Sequence, residues 1–243
     1  MGNANSTKRE TVVPNRMRRD LLKLAPLAAF GAFAAPLLRE RLLDAGMDLS
    51  DAASGYLQHH SRLAPTFPDR RVTPFARFPY NFYDVSDPGV DLEHWTLTVE
   101  GKVARPGEYT LAQVKALPRM VQNTRHVCIE GWSVIGNFAG TSLGSFLHSV
   151  GADLACRFVE VECADNYYES MDMQSALHPQ SLLCYEMYGR PLDRGHGAPL
   201  RLQIPLKLGY KQAKYLNTLR VTNVLQSRRG YWEDQGYSWF GGL

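Results

Sequence analysis

"LLCYEMYGRPLDRGHGAPLRLQIP", residues 182–205, decides how the rest of the chain is read. It opens on an apolar run, turns at Gly189-Arg190-Pro191, turns again at His196-Gly197, and resumes as the alternating "LRLQIP". Apolar or alternating runs bounded by Gly, Pro and Asp are strand signals, because a strand turns every second side chain to one face. By themselves His196 and Gly197 read as part of a turn, and Arg201 as a solvated strand residue.

Working outward, the same pattern continues on both sides. "HWTLTVEG" (94–101) places Trp95, Leu97 and Val99 on one face. "RFVEVECAD" (157–165) and "LNTLRVTNV" (216–224) supply further strands. Two short helices interrupt them. Thr110 precedes "LAQVKALP", stopped by Pro118, and Thr141 and Ser142 are candidate N-caps for "LGSFLHSV", stopped by Gly151. The expected class is α+β, dominated by strands.

The chain of 243 residues suits one large domain with a tail. A hydrophobic content of 44% allows a sizeable core, and a net charge of +3 gives no argument for nucleic acid. The four cysteines, at 128, 156, 163 and 184, form no C-x-x-C spacing, so a structural zinc site and covalent haem are not expected.

Residues 1–38 read as an address. "RMRRDLLKLAPLAAFGAFAAPLLRERL" (16–42) carries Arg18-Arg19, then Leu21, Leu22 and Lys23, which fits the twin-arginine export pattern. Its apolar stretch is broken by Pro26 and Pro36 and falls short of the roughly 20 residues of a membrane span. Periplasmic export is expected, with a membrane tether if the signal is retained. The N-myristoylation match of "MGNANS" is set aside as chance in a bacterial exporter's sequence. Residues 39–74 read as a connector; its "LAPTFPDRRVTP" (63–74) is an extended wrap, and the folded part is expected over 75–243.

Cys128, in "HVCIEGWS" (126–133), poses the chemical question. A nucleophile needs a base within hydrogen-bond reach, and His126 is two residues away. A soft thiolate could instead bind a transition metal whose other ligands come from a cofactor. Four blocks in order favour the second reading: "NFYDVSD" (81–87), "HVCIEGWS", the 182–205 stretch and "LGYKQAKYL" (208–216). Together they resemble the sulfite oxidase family of molybdopterin enzymes.

That resemblance implies a β-rich molybdopterin-binding core and oxygen-atom transfer at a molybdenum centre. Cys128 matches the metal-binding thiolate. Asn81, Tyr83 and Asp84 match an early cofactor-contacting loop. His196 matches a residue bonded to the pterin, Arg201 a cofactor-binding arginine, and Gln212, Ala213 and Lys214 a phosphate-side loop. Cys163 falls near a position held by threonine in the exported reductase branch. Tyr167 lies where a substrate-pocket tyrosine is expected, and Lys211 where a substrate-side cation is expected.

The resemblance is nearer to that exported branch, which includes protein-methionine-sulfoxide reductases, than to sulfite oxidases. Sulfite-oxidising relatives place arginine where this chain has Tyr80, and an arginine pair after the cysteine where "CIEGWS" has none. The ending "GYWEDQGYSWFGGL" (230–243) departs from the reductases as well. The expected activity is reduction of small-molecule or protein-bound S- or N-oxides. Tyr80, Trp132 and Tyr167 would line the pocket. The resemblance also implies a separate electron partner, such as a membrane cytochrome or a quinone-linked protein. The alternatives are sulfite oxidation, a catalytically inactive binding protein of the same fold, and a thiol hydrolase using Cys128.

Overall fold

The computed structural model describes Leu49, residues 63–82, Asp84, and residues 87–225 and 229–243. The expected export signal, most of the connector and Tyr83 lie outside the described residues. No helix among the described residues is long and apolar enough to cross a membrane.

The unit Asp51–Leu243 carries two five-stranded sheets. In the first, β1 (Thr96–Gly101), β2 (Gly107–Thr110), β5 (Phe158–Cys163), β6 (Tyr168–Asp172) and β10 (Leu216–Thr222) follow the order β2-β1-β10-β5-β6. β1 and β10 run parallel, with Thr98 opposite Thr218 and Gly101 opposite Val221. The second sheet orders β3 (Arg119–Val127), β4 (Ser133–Ser142), β7 (Leu182–Met187) and β8 (Arg190–Pro191), with β9 (Arg201–Gln203) also paired to β7.

Burial explains these assignments. In β1 the alternation turns Leu97 and Val99 into the larger core, where Trp95 Nε1 donates to Leu216 O at 2.9 Å. β5 is buried at five of its six positions and sits inside its sheet, flanked by β10 and β6. The helix Leu111–Lys115 starts at a capping box, Thr110 with Gln113, as its sequence predicts. The helix Leu143–Ser149 is capped by Ser142. Thr141 is not a cap: its hydroxyl donates to Pro118 O at 3.2 Å. The helix buries Leu143, Phe146 and Leu147, each worth about 1.5–3 kcal/mol relative to exposure.

The close approach of β4 to β7 requires glycine at one point. A Cβ on Gly140 would lie 2.1 Å from Leu183 O, beside the register shift between Ala139 and Gly140. A smaller core of Phe78, Phe138, Leu182, Cys184, Met187, Leu192 and Ala198 packs on this sheet.

Two irregular segments complete the unit. Residues 63–78 run along the second sheet, where Phe67 N donates to Asn123 O at 3.0 Å and Thr73 N to Ile135 O at 2.8 Å. Residues 229–243 return over the first, through Tyr231 N to Tyr168 O at 3.1 Å and Leu208 N to Gly241 O at 2.8 Å.

Candidate active site

A cleft of about 290 Å³ opens where these segments meet. The hairpin between β3 and β4 builds one wall. Cys128 N donates to Trp132 O at 2.9 Å, and Gly131 turns the chain at a φ of 91°. That turn carries Cys128, Glu130 and Trp132 into the cleft. Asn81 and Phe82 face them from the wrap, Asp165 and Tyr167 from the β5–β6 turn, and Trp232 and Tyr237 from the C-terminal segment.

Cys128 is half-buried. Its Sγ accepts from Asn81 Nδ2 at 3.5 Å and donates toward Glu130 Oε2 at 3.8 Å. Glu130 Oε2 also accepts from Asn81 Nδ2 at 2.8 Å and Trp132 Nε1 at 2.9 Å. Those donors, Asn81 foremost, hold its carboxyl below the ordinary range. Burial, with Glu130 adding to it, raises the Cys128 thiol above its usual value. His126 offers no activation: its Nδ1 meets Gln212 Oε1 at 3.1 Å, and burial, then Arg201, push its pKa down to about 3. So weak a base, bonded to an amide and not to Cys128, does not activate the thiol, and the thiol-hydrolase alternative finds no dyad here.

Deeper in the cleft the charge is positive. Arg201 is 4% exposed, and its guanidinium donates to the carbonyls of His196 at 3.1 Å, Leu202 at 3.3 Å and Gln212 at 3.4 Å, with no carboxylate in contact. Arg201 is therefore not a solvated strand residue. Lys214 Nζ donates to Asn81 O and to Gly195 O at 3.0 Å. Burial, then Arg201, lower its pKa to about 7. Gly197, at a φ of 101°, lets the chain pass Lys214; a Cβ there would lie 2.7 Å from the Lys214 Cβ.

His196 completes this cradle. Its Nδ1 lies 2.8 Å from Asp193 Oδ1, and its buried Nε2 has no hydrogen-bond partner. Burial, then Arg201, lower its pKa, so the ring is neutral at pH 7. An ionised carboxylate only accepts, so Nδ1 carries the proton and Nε2 is left an acceptor.

Eight of the expected site residues thus line one cleft: Asn81, Cys128, Tyr167, His196, Arg201, Gln212, Ala213 and Lys214. Three fall elsewhere. Asp84 is exposed and outside the lining. Cys163 is 4% exposed in the larger core, where burial holds its thiol well above the usual pKa. Lys211, expected beside the substrate, is turned away. Its Nζ meets Glu169 Oε1 at 2.6 Å and Glu233 Oε1, all three side chains being nearly inaccessible. Tyr80 is exposed at the rim: its hydroxyl donates to Asp193 Oδ2 at 2.9 Å, and its ring lies 4.4 Å from that of His196. The sequence reading passed over Glu130, although it sits two positions after Cys128. It also treated Trp232 and Tyr237 only as part of a divergent ending.

The cleft suits an anionic organic cofactor that brings its own metal ligands. A buried guanidinium and a half-buried amine face it without an acidic partner in contact, and an orphaned imidazole nitrogen offers one acceptor. Among the described residues no group of three or more His, Cys, Asp or Glu side chains could hold a metal. A metal at Cys128 would therefore have a single thiolate from the protein, which fits a centre whose remaining ligands are not side chains.

Comparisons with known proteins agree. Residues 84–232 match the family described as oxidoreductase molybdopterin binding domain. A protein of Azospira oryzae, provisionally named a protein-methionine-sulfoxide reductase subunit, YedZ1, is 44% identical over 79% of this chain and 73% of its own length. The protein-methionine-sulfoxide reductase catalytic subunit MsrP of Ralstonia nicotianae is 30% identical over 85% of this chain and 69% of its own. For MsrP of Pseudomonas syringae pv. tomato the figures are 27%, 70% and 58%, so this chain spans little more than half of that relative. The crystal structure of the sulfane dehydrogenase SoxCD from Paracoccus pantotrophus superposes with a TM-score of 0.54 at 19% identity. The overlap covers 58% of this chain and 41% of that one, a likeness of fold.

Proposed function

The chain belongs to the oxidoreductase molybdopterin-binding domain family, and on that premise we propose that it is an exported reductase of S-oxides, with N-oxides as the neighbouring class. The observation that carries this reading is the acidic and aromatic setting of Cys128. Glu130 stands beside the sulfur, aromatic rings surround it, and the one cation expected at the substrate, Lys211, is neutralised behind the wall. A compact dianion such as sulfite would meet a carboxylate there. A neutral sulfoxide would meet rings that favour sulfur and methyl groups. The relatives' names point the same way, to protein-bound methionine sulfoxide. Phe82 and Tyr237, each about two-fifths exposed, leave the cleft open to a side chain presented on a polypeptide.

When bound, the molybdenum cofactor supplies oxygen-atom transfer; the residues supply the rest. Cys128 Sγ holds the metal as thiolate, and Asn81 Nδ2 orients that sulfur. Arg201 and Lys214 hold the anionic end as a planar fork and a point charge, with Gln212 and Ala213 shaping the loop between them. His196 Nε2 accepts a hydrogen bond from the organic part of the cofactor. The Tyr167 hydroxyl is fixed by donation to Tyr210 O at 2.8 Å, which holds the ring in the cleft wall. Each turnover takes two electrons and two protons, and releases the reduced product and water. A separate carrier delivers the electrons. Residues 1–38 direct twin-arginine export to the periplasm, and 75–243 form the catalytic domain.

The test is metal and pterin analysis of protein from a molybdenum-sufficient host, with kcat/KM for methionine sulfoxide and for sulfite measured against artificial redox partners. The expected result is one molybdenum and one pterin per chain, and an S-oxide value far above that for sulfite. Comparable values would overturn the assignment, and full loading without turnover would indicate a binding protein.

A further inference from the structure

Arginines are frequent along the wrap and the second sheet. Among the described residues Arg119, Arg194 and Arg220 are paired with carboxylates. Arg105 and Arg157, beside the first sheet, are exposed without one, and so are a further five, Arg70, Arg71, Arg77, Arg125 and Arg190. These five lie on the wrap and on the strands β3 and β8 of the sheet it follows. Three are laid on aromatic rings. Arg71 and Arg125 both lie over Phe67, at 5.6 and 5.7 Å, and Arg190 lies 3.8 Å over Phe75. A guanidinium held against a ring is restrained, with its fork free for carboxylates.

The band leads inward. The Phe75 ring is 5.1 Å from that of His196, and exposed Tyr80 is 4.4 Å from the same ring. Surface charge and the cofactor cradle are thus separated by a single layer of aromatic side chains. Five cations without counter-charges repel one another, and a partner that neutralises them is favoured in proportion.

We propose that this arginine band is the docking face for the electron donor, and that the donor is a protein presenting a carboxylate-rich patch around its own redox group. The proposal rests on the reductase reading. The donor is oxidised by two electrons for each S-oxide reduced, two protons come from solvent, and the products are the thioether and water. A protein is favoured over an anionic lipid surface because stacked, planar forks match carboxylates in pairs, whereas a headgroup layer needs only diffuse charge. Electrostatic steering at such a face raises association rates by about ten- to a thousandfold and weakens steeply with salt.

The test compares the cofactor-loaded wild type with Arg125→Glu/Arg190→Glu and with Arg125→Lys/Arg190→Lys. Methionine sulfoxide reduction is driven either by dithionite-reduced methyl viologen or by quinol through membranes of the native host. Viologen-driven kcat/KM is expected to be the same in all three, which also tests the reductase reading by itself. With membranes, the Glu variant should fall at least tenfold and lose its salt dependence, and the Lys variant should keep most of the wild-type rate. An unchanged membrane-driven rate in the Glu variant overturns the proposal. So does binding to protein-free phosphatidylglycerol vesicles that weakens in the Glu variant by the factor its membrane-driven rate loses, since the anion would then be lipid.

Discussion

Lys211 meets Glu233 across the seam between the body of the fold and the C-terminal segment, their side chains 1% and 3% exposed. Glu169 closes the cluster from β6. Two carboxylates against one ammonium leave a surplus negative charge out of water, and burial, offset by Lys211 and reinforced by Glu233, raises Glu169 well above the ordinary carboxylate range.

Removing the cation should therefore cost far more than removing one acid. Lys211→Met leaves two buried carboxylates facing each other and should lose about 3–5 kcal/mol. Glu233→Gln leaves Lys211 paired with Glu169 and should lose about 1 kcal/mol or less. Urea unfolding of the two variants measures the difference, and equal losses would contradict the shared-charge account.

Cys128→Ser should abolish turnover and change the visible absorption of the metal centre, while far-ultraviolet circular dichroism stays as in the wild type. An alkoxide is a harder donor than a thiolate, and half-buried Cys128 contributes little packing. An unchanged spectrum would remove Cys128 from the metal.

Arg201→Ala should empty the cofactor site more than it weakens the apo-protein. The guanidinium is a buried cation without an acidic neighbour, so its loss removes a desolvated charge along with three hydrogen bonds. Its loss from a bound anion is worth about 1.5–3 kcal/mol, roughly ten- to hundredfold in affinity. Molybdenum content under limiting cofactor, set beside the apo-protein's melting temperature, separates the two effects.

Lys214 predicts a pH dependence of the apo-protein. Its pKa falls from 10.5 to about 7 on folding, chiefly through burial. Between those values the unfolded chain holds a proton that the folded one has released, so stability rises with pH across that window. Below about pH 7 both states are protonated and the cost of the buried charge is present in full. Lys214→Met should flatten the rise, read as the wild-type minus variant unfolding free energy at pH 7 and pH 10. Equal slopes would mean that Lys214 is not the titrating group.

Much of this architecture is legible in the sequence, but unevenly. β1 announces itself because its buried positions are apolar, and β5 because four of its five buried positions are. β3 alternates as well, yet its buried positions are Gln122, Thr124 and His126, so a hydrophobic pattern passes over it. β4 is masked by Gly136 and Gly140, which read as breaks; in the fold Gly140 is what lets two strands approach. The cofactor cradle is legible because its residues lie in distinctive blocks. Lys211 misleads because a short turn presents Tyr210, Lys211 and Gln212 in different directions, and only the tertiary position of Glu169 and Glu233 shows where the amine is drawn.

The parallel pairing of β1 with β10 governs the order in which the protein can be made. β10 is the middle strand of its sheet, yet it follows the other four strands of that sheet in the chain. Until residues 216–222 emerge, β1 and β5 have no common neighbour. Such long-range closure is slow and leaves strand edges bare meanwhile. The sheet is therefore completed only once residues 216–222 have joined it, whatever has formed before.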